Sequence, residues 1–238
     1  MGNASLKQHY DTASKTGVLQ LSDQKLKEIP TEVFRLAEVL RNLDLSKNRI
    51  TTVSEDICRF KVLKQLNLES NKIENLPNEI GNLKKLELLN AANNYLPHLP
   101  QSFSNLSNIK QLYLRNNNIK KFPILILGLT SLEVVDLSKN KITEIPNGMN
   151  NLYAAELNLS QNEISRIGND LHEAPRLKIL RIEENCLSLD CISPSLLSDS
   201  KIHTLSIEGN LFESKELSSI EGFDKYTERY TMMKKKMF

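Results

Sequence analysis

Tryptophan is absent from this 238-residue sequence, and aromatic residues make up only 5% of it. Leucine, isoleucine and asparagine recur instead, a bias that points to a repeat. A basic excess is missing too: 31 Lys and Arg stand against 29 Asp and Glu, a formal net charge of +2. Nucleic-acid binders usually carry a clear basic surplus on one face, so no nucleic acid is expected as a partner, and there is no acidic tail. Long apolar runs are lacking. The most apolar stretch, PILILGL at 123–129, falls far short of the ~18 residues of a membrane-spanning helix. The opening MGNASLKQHYDTASKTG has no apolar core of the kind a secretory signal requires. Cysteine is scarce. Cys58, Cys186 and Cys191 are odd in number and match no zinc spacing. Reduced thiols in the cytoplasm are the expectation, with no metal and no cofactor.

What is there is periodic. LRNLDLSKNRI (40–50), LKQLNLESNKI (63–73), LELLNAANNYL (86–96), IKQLYLRNNNI (109–119) and LEVVDLSKNKI (132–142) all fit L-x-x-L-x-L-x-x-N-x-L. AAELNLSQNEI (154–164), LKILRIEENCL (177–187) and IHTLSIEGNLF (202–212) continue the series, and TGVLQLSDQKL (16–26) is a weaker first copy with Gln24 in the Asn column. Most Asn-to-Asn steps are 23 residues; the last, Asn185 to Asn210, is 25, with the insertion near Cys191 to Ser198. One match arises by chance, but a register held through nine copies does not.

Each part of the copy has a physical job. The L-x-L alternation has period two, so it predicts a short strand with alternate side chains inward. Stacked copies then form a curved parallel sheet on a concave face, over a core no single copy could bury. The Asn amide carries donors and an acceptor for the turn that follows, where an unpaired backbone group would cost about 1–3 kcal/mol. A Leu-Pro or Ile-Pro step recurs at Pro30, Pro77, Pro100, Pro123 and Pro146. Proline fixes φ and donates to no ladder, which favours short turns over long helices on the convex side. The expected architecture is an α/β repeat solenoid with a parallel sheet, short irregular or helical convex segments and helical caps.

The 23-residue copy with its Leu-Pro step resembles the intracellular leucine-rich repeat proteins related to Scribble and the Ras-suppressor group. The resemblance covers essentially the whole chain. It implies a small cytoplasmic repeat protein that a lipid can hold on a membrane, with no assigned enzymatic activity and no catalytic residues to carry over.

Three regions follow: 1–15 as tether and helical cap, 16–213 as about nine repeats, and 214–238 as a helical cap with a basic tail. The first cap places Leu6, Tyr10 and Ala13 on one side of a helix. The second spaces Leu217, Ile220, Phe223, Tyr226 and Tyr230 at helical intervals, with Gly222 as a break.

No catalytic motif is present: no P-loop, no G-x-S-x-G, no H-E-x-x-H and no kinase signature. The sequence therefore reads as a binding protein, expected to be monomeric, and function falls to the outward residues of the sheet. Tyr113 and Arg115 sit in the middle repeat, and these residue types are enriched at binding hot spots. Asn67, Leu88 and Asn90 flank them, and Asp136 lies one strand away, where it is expected to hold Arg115. Arg181 and Glu183 mark a second, acidic group with Glu184 and Glu208. Together these form the candidate surface for an unidentified protein partner. A soluble regulatory subunit that docks on a phosphatase or a small GTPase by the same face is the alternative.

At the start, Gly2 followed by small residues suits N-myristoylation, although Leu6 stands where the pattern asks for Ser or Thr. One myristoyl chain gives only marginal, reversible binding, so a second signal is needed. Lys234, Lys235 and Lys236 are the candidates for contact with an anionic leaflet. Alternatively they complement the C-terminal end of a helix.

Overall fold

The structure, a computed structural model, describes residues 3–235. Gly2 and Lys236, two of the membrane candidates, lie outside the described residues. The described residues form two compact units that divide after Asn118.

The first unit opens with helix α1 (Asn3–Thr16) and continues through β1 (Val18–Gln20), β2 (Asn42–Asp44), β3 (Gln65–Asn67), β4 (Leu88–Asn90) and β5 (Gln111–Tyr113). Each strand pairs in parallel with the next, so that Leu19, Leu43, Leu66, Leu89 and Leu112 stand in register. These middle leucines are at most 1% exposed. Their two neighbours on each strand face the other way, as the period of two demands.

The second unit repeats the scheme with β6 (Val134–Asp136), β8 (Glu156–Asn158), β10 (Ile179–Arg181) and β11 (Thr204–Ser206), aligned on Val135, Leu157, Leu180 and Leu205. It adds a separate two-stranded ribbon of β7 (Glu144–Ile145) and β9 (Arg166–Ile167), which the sequence reading did not contain. The insertion near Cys191 becomes a 3-10 turn and the short helix α2 (Pro194–Ser198), and the unit ends with α3 (Phe223–Lys235).

Between the strands the copies make 3-10 turns, and in several of them a proline stands just before the first residue. Pro77 (φ −71°) and Pro100 (φ −70°) stand immediately before the turns Asn78–Asn82 and Gln101–Asn105. Each turn drops one large side chain, Ile80 or Phe103, fully into the core. These turns stack closely enough to need a glycine. A Cβ on Gly81 would meet the Ser102 carbonyl oxygen at 2.3 Å.

Between strand and turn runs the asparagine column. In a typical copy, Asn71 donates from Nδ2 to the carbonyls of Leu45 and Leu68, both at 3.0 Å, and accepts the Ile50 amide at 3.0 Å. Asn48 satisfies even more of its surroundings, accepting from both Gln24 and Leu26. The residue just before each Asn is left-handed: Lys47, Ser70, Asn93 and Asn116 in the first unit, Lys139, Gln161 and Glu184 in the second, with φ of 50° to 59°. Only Gly209 brings a glycine to that position. This column was not read from the sequence, because it has no common residue type.

The last strand ends against α3. The Tyr226 hydroxyl accepts the Leu205 amide at 3.2 Å, and burial pushes the Tyr226 phenol upward in pKa. Arg229 donates to the carbonyls of Ile202 (3.1 Å), Ser198 (3.2 Å) and Leu197, closing the C-terminal end of α2. Gly222, with φ +89°, turns the chain into α3.

Candidate functional site

In the first unit, four of the sequence candidates share one depression. Asn67, Leu88, Asn90 and Tyr113 line a shallow trough of about 320 Å³ that also takes residues from β1 and β2. The strands bring them together because residues 23 apart become lateral neighbours: Gln65↔Leu88 and Asn90↔Tyr113 are paired positions.

The trough has one braced side and one open side. Asn90 donates to Glu69 Oε2 at 3.0 Å, Asn93 donates to Glu69 Oε1 at 3.2 Å, and Asn116 donates to Asn93 Oδ1 at 2.9 Å. Asn67 and Asn90 each accept the backbone amide two residues on, from Glu69 and Ala92, at 3.1 Å. These contacts fix the amides without using all of them. The Nδ2 group of Asn67 has no protein acceptor among the described residues. Tyr113 donates to Gln111 Oε1 at a long 3.3 Å, and its ring is half-buried beside Leu88. The chemistry on offer is thus free amide donors, an aromatic ring and one aliphatic side chain. Glu69 and Asn93 were missed by the sequence reading. The repeat register was the signal that could have found them, since it sets Glu69 beside Ala92 and Asn93.

Arg115 is exposed and does not line this trough; its carbonyl accepts from Asn93 and Asn117. Along the start of the strands, Lys64 and Lys110 each sit 2.9 Å from Glu87. The hydrogen bonds from Lys110 and Lys64, and their charges, hold the Glu87 carboxyl down to about 2.

The second unit holds the other three candidates, and all three are engaged locally. Asp136 Oδ1 accepts from the amide (2.9 Å) and hydroxyl (2.6 Å) of Ser138. Arg181 is ion-paired with Glu156 on the next strand. Glu183 accepts from the Ser160 hydroxyl, and the adjacent Glu184 accepts from Gln161 at 2.9 Å. Neutral neighbours thus hydrogen-bond Glu183 and Glu184, while the one cation of the group, Arg181, is taken up by Glu156.

At the chain's end, the Lys234 ammonium lies 4.6 Å from the centre of the Tyr230 ring, a cation–π contact, while Lys235 is exposed. Cys58, Cys186 and Cys191 are free thiols. Among the described residues, no three His, Cys, Asp or Glu side chains come close enough to hold a metal ion.

Comparison with known proteins places this architecture. The protein resembles an internalin from Listeria monocytogenes at 21% identity and a TM-score of 0.74, over 90% of this chain and 61% of the internalin. It resembles the leucine-rich repeat domain of APL1B at 20% identity and a TM-score of 0.70, over 93% and 66% of the two chains. A plant ice-binding protein matches at 24% identity and a TM-score of 0.67, over 81% and 64%. The chain thus spans less than two thirds of each of these three structures, and at such identities the likeness carries the fold alone. At the level of sequence, the family described as "Leucine-rich repeat region" matches residues 38–229. That match takes in most of the copies and the asparagine column that closes their turns, so the chain belongs to the leucine-rich repeat family, with the α/β solenoid fold of parallel strands and short helices.

Proposed function

We propose that the protein is a non-catalytic interaction module whose protein partner docks on the open sheet face of the first unit, around Tyr113. The observation that carries this reading is the trough itself. A half-buried tyrosine and Leu88 stand beside amides held in place by Glu69, with the Asn67 donors unspent. A braced polar surface loses little freedom on binding, and tyrosine is a favoured anchor. The test is a photocrosslinker placed at Gln111, on the trough side of β5, and at Glu79, on the convex turn. A partner captured from Gln111 and lost on Tyr113→Ala supports the reading. Capture of the same partner from Glu79 alone would sink it.

The finer reading is a cytoplasmic adaptor or scaffold of the intracellular repeat group, tethered to a membrane by myristoyl on Gly2. Its test is intact mass after co-expression with N-myristoyltransferase, beside Gly2→Ala. A mass gain of one myristoyl group, absent from the variant, supports the tether; no gain removes it. The competing reading is a soluble regulatory subunit for a phosphatase or a small GTPase. It draws support from Lys234, whose ammonium is taken up by the Tyr230 ring, which leaves Lys235 and Lys236 as a weak membrane contact. A Gly2→Ala protein that keeps its location and partners would decide for the soluble reading.

A further inference from the structure

If an acyl chain at Gly2 needs an electrostatic second signal, the first unit holds a better one than the basic tail. Lys25, Arg49 and Lys72 occupy the same place in three consecutive copies, one residue beyond the asparagine column. The backbone sets them side by side: the Arg49 amide donates to Leu26 at 2.7 Å, and the Lys72 amide donates to Ile50 at 2.9 Å. Neighbouring copies lie roughly 5 Å apart at the strands, so this is a single-sign column. Lys47 and Lys27 flank it, and all five side chains are exposed.

These cations are unused by the fold. None of the five forms an ion pair among the described residues. The basic residues at the opposite end of the strands differ. Lys64 is paired with Glu87, and Lys84 donates to the Asn105 carbonyl at 3.2 Å. Asp23, Glu28 and Glu74 lie close by in the sequence, and none of them shares the column position. Three like charges in a row repel one another, and no internal contact offsets that cost.

The first helix points to the same side. Its Thr16 end meets the start of β1, where the Val18 amide donates to the Thr16 hydroxyl at 3.2 Å. His9 reaches the far end of β1, with Nδ1 3.2 Å from the Gln20 carbonyl. Helix α1 therefore runs antiparallel to β1. Six residues separate His9 from the helix start at Asn3, about 9 Å of further rise. The beginning of α1 thus lies towards the turns that carry the cationic column.

We infer that the turn side of the first three repeats is a docking face for an anionic lipid surface, working together with an acyl group at Gly2. The inference rests on the tether reading for its apolar half. Lipid is favoured over protein by the residue types. Lysine is depleted from protein–protein interfaces, which prefer aromatic and apolar anchors. Clusters of four to eight Lys or Arg beside an anchor are the signature of anionic headgroup binding.

The test uses the full chain, acylated and unacylated, sedimented with vesicles of phosphatidylcholine alone or vesicles rich in phosphatidylserine. The variant is Lys25→Gln, Arg49→Gln and Lys72→Gln together, and the control is Lys61→Gln, Lys84→Gln and Lys85→Gln. Each cation near an anionic leaflet is worth about fivefold in partition, so the variant should lose about a hundredfold on phosphatidylserine vesicles. Its partition onto phosphatidylcholine should not change. Raised salt should produce the same loss in the unaltered protein. Equal binding by variant and unaltered protein overturns the inference, as does an equal loss in the control. A failed myristoylation removes the tether separately: the unacylated protein must then still prefer phosphatidylserine vesicles at low salt, and no preference there overturns the column too. A variant that keeps its vesicle binding but loses an acidic protein partner would assign the face to protein and likewise overturn the inference.

Discussion

Two ladders cross the repeats of the first unit, and they are built on opposite physics. One is the buried column of Asn48, Asn71, Asn94 and Asn117, each 4–8% exposed, in which every amide is matched to backbone. The other is the surface row Lys64–Glu87–Lys110, held by two 2.9 Å ion pairs in contact with water. In the buried ladder each asparagine oxygen accepts a backbone amide of the preceding copy, so losing one member strands that amide, while the carbonyls keep a donor from the neighbouring asparagine. The surface ladder competes with solvent at every step. Equal regularity in the structure therefore means very unequal weight in stability.

The sharpest way to break that comparison is Asn71→Ala. It strands the amide of Ile50 and removes one of the two asparagine donors at the carbonyls of Leu45 and Leu68, which Asn48 and Asn94 still serve. At about 1–3 kcal/mol for a buried unpaired group, with two further hydrogen bonds lost, the loss should be about 2–3 kcal/mol. Denaturant unfolding of Asn67→Ala supplies the contrast. Asn67 accepts only the Glu69 amide, on a half-exposed face, and its loss should stay near 1 kcal/mol or below. Similar losses for the two variants would refute the distinction between the columns.

Next in size is the closing contact of the second unit. Arg229→Met removes the donors to Ile202, Ser198 and Leu197 while keeping much of the apolar stem. A loss of about 2 kcal/mol is expected, since these carbonyls are reachable by water once the guanidinium has gone. Tyr226→Phe, which strands only the Leu205 amide, should cost about 1 kcal/mol. Hydrogen exchange should place both effects in β11 and α2 first.

These contrasts explain what was legible in advance. The parallel sheet, the core leucines and the role of the asparagines were readable, because burial and backbone satisfaction restrict residue type at every copy. The left-handed column was not. Lys47, Ser70, Asn93, Asn116, Lys139, Gln161 and Glu184 share a φ and no side-chain chemistry. The ribbon of Glu144–Ile145 and Arg166–Ile167 was not legible either, since its two-residue strands carry no period. The candidate surface was partly legible. Column position brought Asn67, Leu88, Asn90 and Tyr113 together, but it did not show that Glu69 braces them or that Arg181 is spent on Glu156. Water accepts almost any side chain on that face, so nothing there forces a pattern.

A smaller effect, of the opposite sign, is expected at the left-handed column. A non-glycine residue in that conformation is held there at a cost of about 1–2 kcal/mol. Glycine relieves the strain but adds freedom to the unfolded chain, so Ser70→Gly should stabilise by about 0.5–1 kcal/mol. The reverse change, Gly209→Lys, should destabilise. Its Cβ would meet Glu184 Cγ at 3.1 Å and the Glu184 amide nitrogen at 3.3 Å. A stability loss in Ser70→Gly would show that the Ser70 side chain, not its φ, matters at that turn.

The smallest effect belongs to the surface ladder, and pH reads it. Glu87 is held at about 2 in the folded chain by Lys110 and Lys64, against an ordinary value of 4.5. A depressed folded value means that its contribution is fully present above pH 4.5 and is lost as pH falls toward 2. Because the carboxylate is in contact with solvent, that contribution is small and salt should erode it. The Glu87 carboxyl carbon should titrate near 2 by NMR and move part of the way to 4.5 in Lys64→Met. The Asn71 comparison should show no such dependence on acid or salt, since no charge is involved. If Lys64→Met leaves the Glu87 titration unmoved, Lys64 is a bystander in this row and Lys110 alone holds Glu87 down.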